Sequence, residues 1–458
     1  MNINKTIRVI MASLVTLAAS ACNDDDKNLE AFNKAPLPPT PDIVPEPATV
    51  KPKAMWIDAH ANFTKLATKA GIDAELKKIK DNGMNMIYLD VKPGNGYALY
   101  KSDILPPCNA IGTTTVTRDY DDYLGYFLEK CEELEIDVVA SIVATGFGHQ
   151  SADGQVKQGF VFDHMDQWYN KCQVRSVNGD ANATVNICDA PEQPIVMLSP
   201  CHPEVRTLVC QIAEEIVRKY PKIKGLSLDY LRYCNNDNGW YGMGDNDLAA
   251  YAAYWGESIP EKTEIVTLTG GIGPKFSKWV EYRSAQVHDM LAEIRQTVKA
   301  VNPDCEIHLW ASAQWSSRYS IGQNWASKNY KPSGGQYTST YNKTGFADLL
   351  DVFVTGAYSE KVWISEDPST EWTVENFVKS WDKYIMGECK CYGSIAAYAL
   401  DETKNLDATY LCLKYTNGYM TFELSHVNNR SLWESTKKGI MRYEDPVAYL
   451  EYADETLY

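Results

Sequence analysis

Eight short apolar segments, each suited to a β-strand, recur between residues 53 and 458, and helix-length stretches separate them. Amphipathic sequences such as GIDAELKKIKDNGM and PEVRTLVCQIAEEIVRKY fill these intervals, with apolar residues at helical spacing. Alternating strands and helices are typical of a parallel α/β fold, and eight strands close a (β/α)8, or TIM, barrel. The predicted strands lie at 54–60, 85–91, 136–144, 222–233, 305–314, 349–358, 391–399 and 418–426.

A single domain accounts for this pattern. Neither an internal repeat nor a second linker interrupts it, and α/β barrels commonly use this much chain in one domain. One long segment, about 146–198, is predicted as a loop-like insertion after the third strand. We therefore predict one barrel over residues 53–458.

Polar and aromatic side chains gather at the predicted C-terminal ends of the strands. In a (β/α)8 barrel this end carries the active site, which is built from the strand ends and the loops that follow. Carboxylates are numerous there, and Trp and Tyr are interleaved with them. The candidates are Asp58, His60, Asp90, Lys92, Asp229, Arg232, Trp310, Gln314, Tyr358, Glu360, Glu423 and His426.

Paired carboxylates among aromatic side chains are what cleavage of a glycosidic bond needs. One acid protonates the leaving oxygen, and a second carboxylate attacks the sugar or activates water. Asp229 stands out because it ends the apolar run of GLSLDYLRY. We predict Asp229 as nucleophile or general acid, Glu360 or Glu423 as its partner, and the other candidates as substrate-binding residues. On an N-acetylated substrate, the acetamido group could itself be the nucleophile.

Some candidates have a purely structural alternative. Asp90 and Lys92 could form an ion pair that shapes a loop. Asp58 could cap the first loop, and His60 could be a hydrogen-bonded core histidine.

Strand register and charge pairing leave two more alternatives open. Glu423 would face outward if the register of the last strand differs by one residue, because neighbours on a strand point to opposite sides. An acid in an apolar strand is unfavourable unless paired, so Asp229 could instead be a structural partner of Arg232.

Charge and composition argue against nucleic-acid binding and metal binding. The formal net charge is −16, with 60 acidic and 44 basic residues, which repels polyanions. Cys389 and Cys391 do not form a CxxC motif, and a metal-dependent hydrolase built on Asp58-Ala59-His60 would lack the usual His-x-His pair. We expect no metal, no other cofactor and no nucleic-acid partner, and the sequence identifies no protein partner.

The N-terminus has the pattern of a secretory signal. Lys5 and Arg8 precede an apolar run from about residue 10 to residue 19, which is too short for a permanent membrane span. We predict a signal peptide at 1–21, followed by a linker at 22–52 whose prolines favour an extended chain. A plain secretory signal with a coincidental cysteine at Cys22 is the alternative.

The end of this signal resembles a bacterial lipoprotein signal. Its sequence is Ala19-Ser20-Ala21-Cys22, and the resemblance implies that Cys22 becomes the lipidated first residue of the mature chain. The following Asn-Asp-Asp-Asp at 23–26 resembles the acidic export tag of Bacteroidetes surface lipoproteins. These resemblances imply an outer-membrane lipoprotein exposed at the cell surface and held to the membrane by its N-terminal lipid.

In a protein of the cell envelope, cysteines can pair as disulfides, so their number and spacing are informative. The chain has 12, and removing Cys22 leaves 12 − 1 = 11, so at least one is unpaired in a monomer. Cys172 and Cys188 flank a polar loop and are candidates for a disulfide.

Three blocks of sequence resemble the family 10-like glycosyl hydrolase family. They are NGMNMIYLDVKPGNGYALYKSDILPP, LSPCHPEVRTLVCQIAEEIVRKYPKIKGLSLDYLRY and KWVEYRSAQVHDMLAEIRQTVKAVNPD, and the similarity spans about 54–426. Asp229 occupies the place of the family's Asp, which implies a catalytic role, and Tyr233, a substrate-binding candidate, matches the nearby aromatic. Lys224 replaces an Asp before Gly225, and Gly356-Ala357 stands where the family tends to have Pro-Gln.

These inferences converge on a surface glycoside hydrolase that acts on a poly- or oligosaccharide. The alternative is a non-catalytic, glycan-binding lipoprotein on the same barrel, since a fold does not guarantee a function. The two differ in whether a second carboxylate lies within reach of the same glycosidic bond as Asp229.

Overall fold

Eight parallel strands form a closed barrel in the computed structural model, which describes residues 50–177, 180–235, 239–268 and 271–455. Each strand pairs with its neighbours in chain order, and the first pairs with the last. The predicted (β/α)8 barrel is therefore confirmed. The strands are β1 Lys53–Ile57, β2 Met86–Lys92, β3 Asp137–Val143, β4 Gly225–Asp229, β5 Glu306–Ser312, β6 Val352–Gly356, β7 Lys390–Ala396 and β8 Gly418–Phe422.

Helices surround the barrel, and several begin with side-chain caps that the sequence supplies. Asp122 and Asp401, for example, accept backbone N–H bonds at the first turns of their helices. The β5–β6 connection differs, because it contains only 3-10 turns in place of a helix. The α-helices are Lys69–Asp81, Tyr123–Glu133, Phe160–Asp163, Met165–Trp168, Pro203–Lys219, Asp245–Trp255, Lys262–Ile265, Phe276–Val301, Val374–Ser380, Asp382–Ile385, Glu402–Tyr415, Leu424–Asn429, Trp433–Glu444 and Pro446–Glu455.

Side chains that alternate along each strand fill the barrel interior. Trp56 of β1 stacks on Tyr88 of β2 with ring centroids 5.4 Å apart. The Tyr88 hydroxyl and the Nδ1 of buried His308 on β5 lie 2.6 Å apart. Because strand neighbours point to opposite faces, the inward row that contains Trp56 and Tyr88 continues to Asp58 and Asp90 at the C-terminal end of the barrel.

The insertion after β3 is more ordered than its sequence indicates. Strands Gly146–Gln150, Lys157–Gln158 and Ile195–Met197 form an antiparallel sheet, and Val174–Val177 pairs with Asp180–Asn186. The prediction of a loop-like segment is thus wrong in part. Asp180–Asn186 alternates polar and apolar residues, a local signal for a strand. The pairing of Ile195–Met197 with Gly146–Gln150 joins segments that are distant in sequence, and no local pattern indicates it.

Two cysteines of this insertion lie next to each other. The sulfur atoms of Cys172 and Cys188 are 3.5 Å apart, and both residues are buried free thiols. The predicted disulfide partners therefore lie within contact distance.

The described residues from 51 onward group into one compact unit. The predicted signal at 1–21, Cys22 and most of the predicted linker lie outside the described residues and stay predictions. Among the residues that the structure describes, no helix combines the length and apolar character needed to cross a membrane.

Candidate active site

Three aspartates meet at the C-terminal end of the barrel. Asp229 is the last residue of β4, Asp90 lies near the end of β2, and Asp58 directly follows β1. Trp56 of β1 is in register with Tyr88 of β2. Asp58 and Asp90 each lie two residues further along the chain, so the two strands place these aspartates side by side. All three side chains line one cavity of about 330 Å³.

A second, smaller cavity of about 170 Å³ opens beside the first. The two share four wall residues, so they form adjoining parts of one cleft. The shared residues are Trp56, Asp229, Tyr230 and Phe422.

Burial dominates the electrostatics of Asp229. It raises the pKa of this carboxyl to about 6, with a smaller upward contribution from the Asp58 charge, whereas the Arg232 charge and the Tyr230 N–H lower it. The Tyr230 N–H donates to Asp229 Oδ1 at 2.8 Å. Tyr230 adopts a left-handed backbone with φ of 51°, a conformation that is unfavourable for a bulky residue and clusters at functional sites.

Asp90 and Asp58 have raised pKa values for related reasons. Burial and the charges of Asp58 and Asp229 raise the pKa of Asp90 well above its ordinary value, and its Oδ2 accepts the Ala59 N–H at 3.2 Å. Burial also raises the pKa of Asp58, and the charge of Glu423 raises this pKa further. The Ala61 N–H, which donates to Asp58 Oδ1 at 2.6 Å, lowers it. Carboxyls that share a site in this way are characteristic of acid–base centres.

Glu423 has a different environment from these aspartates. It follows β8, is 1% exposed, and caps the helix Leu424–Asn429 by accepting the N–H groups of Ser425 and His426. The Asn62 side-chain amide donates to its Oε2 at 2.8 Å. Its two oxygens are therefore engaged in positioning the β8 loop, and Glu423 does not line either cavity.

Glu360 and Gln314 also lie away from both cavities. Glu360 is exposed, and its carbonyl accepts a hydrogen bond from Lys404. Gln314 donates to Glu371 at 3.3 Å in the loop after β5. The structure does not bring either residue to the walls that Asp229 lines.

Lys92 connects two strand ends. Its ammonium group donates to the carbonyls of Val143 and Gly146, each at 2.6 Å, and lies 3.9 Å from the centroid of the Phe147 ring. Burial lowers its pKa well below the ordinary value. Lys92 thus holds the loop after β3 in place instead of forming the loop-shaping ion pair with Asp90.

Arg232 and Tyr233 lie behind the cleft wall. The Arg232 guanidinium donates to the Tyr233 carbonyl and to Asn235, and it lies 4.4 Å from the centroid of the Tyr230 ring. Its charge lowers the pKa of Asp229 without a hydrogen bond between them among the described residues. Tyr233 is fully buried, with its ring 5.2 Å from the Arg283 guanidinium.

Histidines stand at the edge of the larger cavity. His60 is exposed, and its ring is 5.7 Å from that of His149, which comes from the insertion after β3. Burial, with a smaller effect of His60, lowers the pKa of His149. Within the described residues, no group of three or more His, Cys, Asp and Glu side chains is arranged to hold a metal ion.

Aromatic side chains line the smaller cavity. Trp310 and Tyr358 have ring centroids 5.1 Å apart, and Tyr358 lies 5.9 Å from Phe422. His426 lines neither cavity but contacts this wall, with its ring 6.2 Å from that of Phe422 and 5.3 Å from that of Tyr398. Two predicted substrate-binding residues, Trp310 and Tyr358, therefore share a cavity with Asp229.

Several lining residues had not been singled out in the sequence. Trp56 lines both cavities, and its indole N–H is buried without an acceptor in the described part of the chain. Its position two residues before Asp58 on an inward-facing row was the available signal. Further lining residues come from a strand end, the insertion and loops, and no local pattern distinguishes them; they include Asn95, His149, Tyr230 and Phe422.

Comparison with known sequences gives a family match and a distant relative. The profile of the family described as glycosyl hydrolase-like 10 matches residues 51–410. An S-layer-related protein from Niallia circulans is 24% identical over 402 residues, which cover 83% of this chain and 24% of the relative. The chain therefore spans about a quarter of the length of that relative.

Several glycosidases are among the solved structures with a similar fold. The catalytic domain of a β-amylase from Paenibacillus polymyxa is 12% identical, with a TM-score of 0.52 over 85% of this chain and 97% of that one. A β-galactosidase from the psychrophilic Marinomonas ef1 is 9% identical, with a TM-score of 0.54 over 89% of this chain and 60% of that one. At these identities the similarity shows a shared TIM-barrel fold.

Proposed function

Because the chain belongs to the glycosyl hydrolase-like 10 family, we propose that it is a cell-surface glycoside hydrolase that cleaves O-glycosidic bonds of a poly- or oligosaccharide. The observation that supports this proposal most directly is the convergence of Asp58, Asp90 and Asp229 on one cavity at the C-terminal end of the barrel. Carboxyls in a concave site with aromatic walls suit the binding and cleavage of a sugar.

In this mechanism Asp229 is the general acid. A carboxyl with a pKa of about 6 keeps its proton up to a higher pH than an ordinary aspartate, and in its protonated form it can donate this proton to the glycosidic oxygen as the bond to the anomeric carbon breaks. The leaving sugar then departs as an alcohol. The left-handed Tyr230 directs its N–H at Asp229 Oδ1, which fixes the orientation of the carboxyl.

Asp58 is the second carboxylate in this proposal, in place of Glu360 or Glu423. It shares the cavity with Asp229 and is partly accessible, whereas Glu423 is buried as a helix cap. Asp58 either attacks the anomeric carbon or takes a proton from a water molecule whose oxygen attacks there. Proton NMR of the first anomer released distinguishes the two, because attack by Asp58 retains the configuration and direct attack by water inverts it.

Asp90 has a positioning role in the same proposal. It is 5% exposed, and burial together with the two neighbouring aspartates favours its protonated, neutral form. Its bond from the Ala59 N–H holds the turn that carries Asp58. A neutral Asp90 also limits the repulsion that a third negative charge would add to the site.

The test of activity is release of new reducing ends from a broad panel of plant and host glycans by the purified protein. We expect release by the wild type and a loss of about 100-fold or more in Asp229→Asn and in Asp58→Asn, since general acid and nucleophile each contribute at least this much. Asp304→Asn is the matched control, because Asp304 is exposed and precedes β5 at the opposite end of the barrel.

The two classes of function give different results in this experiment. Equal release by wild type and Asp229→Asn would contradict the assigned role of Asp229. No release by any protein, with glycan binding that survives in both, would favour the glycan-binding alternative.

The proposed location follows from the N-terminal sequence. A lipid on Cys22 and the linker that follows would hold the barrel at the outer face of the envelope. The S-layer-related name of the relative supports an envelope location.

A further inference from the structure

The two parts of the cleft differ in which carboxyls they contain. The larger cavity is lined by Asp58, Asp90 and Asp229. Of these three, only Asp229 also lines the smaller cavity. Asp229 therefore stands at the junction, with the other two acids on one side of it.

The smaller cavity has aromatic walls. It is lined by Trp310, Tyr358 and Phe422, in addition to Trp56 and Tyr230. Trp310 is fixed by a hydrogen bond from its indole N–H to Ser394 at 3.1 Å, and its ring is tilted by 43° to that of Tyr358. Rings held in this way present flat apolar faces to a bound sugar at little entropic cost.

We infer that the aromatic cavity is the subsite for the leaving group and that the larger cavity holds the sugar ring whose anomeric carbon reacts. This inference rests on the proposed function, because it uses Asp229 as acid and Asp58 as the second carboxylate. The second carboxylate must reach the anomeric carbon, so the ring that carries this carbon lies on the side of Asp58 and Asp90. The part of the substrate beyond the glycosidic oxygen then lies across Asp229, against Trp310 and Tyr358.

The chemistry is consistent with this orientation of the substrate in the cleft. The proton of Asp229 passes to the glycosidic oxygen, the bond between that oxygen and the anomeric carbon breaks, and the released alcohol occupies the aromatic cavity. Water adds its oxygen to the anomeric carbon, directly or after attack by Asp58, and its proton returns to a carboxylate. No redox partner or further reactant is required.

Tyr398 extends the aromatic subsite outward. It lies in the turn after β7, is 50% exposed and contacts His426 at a centroid distance of 5.3 Å. The His426 ring in turn lies 6.2 Å from that of Phe422, a wall residue of the aromatic cavity, so Tyr398 adjoins this cavity through His426. A leaving group longer than one ring would therefore meet Tyr398 next.

A comparison of two leaving groups tests the inference. The probes are the 4-nitrophenyl glycosides and the glycosyl fluorides of glucose, galactose, mannose, xylose and N-acetylglucosamine. Nitrophenyl groups can stack on an aromatic wall, whereas fluoride leaves as a small anion that needs neither stacking nor a proton. The readout is the ratio of kcat/KM on the two probes of the same sugar.

We expect Trp310→Leu to lower kcat/KM on the nitrophenyl glycoside by about tenfold, and by clearly less on the fluoride. Tyr398→Leu should shift the ratio in the same direction by about threefold. Tyr398 is half exposed, so this variant keeps the test valid if Trp310→Leu does not fold. Tyr254→Leu, which removes an aromatic ring that is 42% exposed on the helix Asp245–Trp255, should change neither rate.

The failures of the two proposals have different signatures. Hydrolysis of both probes with the same losses in every variant, or with larger losses on the fluoride, would overturn the subsite assignment and leave the hydrolase intact. Absence of hydrolysis of both probes and of every glycan in the panel would overturn the hydrolase proposal, and the subsite assignment with it.

Discussion

Asp229 owes its chemistry to its surroundings more than to its own side chain. Its carboxyl lies partly buried at the end of β4, and the cation that lowers its pKa, Arg232, is hydrogen-bonded to Asn235 and to the Tyr233 carbonyl. The alternative that Asp229 is a structural partner of Arg232 therefore lacks the direct bond it requires among the described residues. An acid held in this way stays protonated, and so can act as a proton donor, up to a pH of about 6.

The pH dependence of activity is the prediction that belongs to this residue. As general acid, Asp229 must be protonated, so kcat/KM should fall as pH rises through about 6, the pKa of its carboxyl. The measurement is kcat/KM for the glycan cleaved in the release assay between pH 4 and 9. A profile that stays flat from pH 5 to 8 would contradict the assignment.

Glycosyl fluoride provides the control for this profile. Fluoride leaves without protonation, so this alkaline decline should be weaker or absent with that probe. An equal decline on both substrates would assign the ionisation to another group.

The folding free energy should respond to the same ionisation. A carboxyl whose pKa is raised in the folded state contributes stability that is present below its unfolded pKa and lost as pH rises through the folded value. For Asp229 that window runs from about 4 to about 6. The raised pKa of Asp229 thus lowers the folding stability above this window while it serves the proposed catalysis, a trade-off that is common in active sites.

At the scale of single elements, the helix after β8 shows why a carboxylate at a strand end is not necessarily catalytic. Glu423 binds the first turn of Leu424–Asn429 and the side chain of Asn62 in the loop after β1. It therefore ties together the β8 and β1 loops where the barrel closes. This role needs a carboxylate at the same position that a catalytic acid would occupy.

Substitution of Glu423 should act on stability. Glu423→Ala removes a helix cap, at a cost of about 1 kcal/mol. It also removes one of the two acceptors of the Asn62 amide, which still donates to the Asp58 carbonyl, at a further cost of about 0.5–1.5 kcal/mol. We expect a clear fall in the midpoint of thermal unfolding measured by circular dichroism. Glu360→Ala is the control and should leave the midpoint almost unchanged, because Glu360 is exposed.

The same two variants separate stability from catalysis. Activity per folded molecule that disappears in Glu360→Ala but persists in Asp58→Asn would restore Glu360 as the second carboxylate. An unfolding midpoint for Glu423→Ala equal to that of wild type would contradict the capping role.

At the scale of the whole molecule, one barrel carries the entire candidate site. The family match begins at residue 51, where the compact unit also begins. The Lys51 ammonium group donates to the carbonyls of Leu413 and Thr416, so the start of this unit is fastened to the helix that precedes β8.

Attachment to the membrane is the prediction at this scale. We expect the full chain to incorporate radiolabelled palmitate and to sediment with membranes, because a lipid on Cys22 would anchor it. Cys22→Ser should abolish the label and leave the mature protein in the soluble fraction. Cys210→Ser, at a partly buried cysteine of the barrel, should change neither result, and unlabelled wild-type protein would contradict the lipoprotein assignment.

The sequence by itself determined the barrel, its eight strands and the candidacy of Asp229. Strand and helix periodicities are local, and the rule that places active sites at C-terminal strand ends needs only the order of the strands. It also identified Asp58, Asp90, Trp310 and Tyr358 as candidates, because each lies at or just beyond a strand end.

Only the tertiary structure decided which of these residues meet. Whether a side chain faces inward depends on a register that one residue reverses, and for this reason Glu423 is a cap while Phe422 lines the cleft. Asn95 reaches the site on a loop and His149 on a strand of the insertion that pairs with Ile195, and both paths depend on contacts between distant parts of the chain. The raised pKa values of the three aspartates likewise arise from burial and mutual repulsion, which exist only once the strands have closed into a barrel.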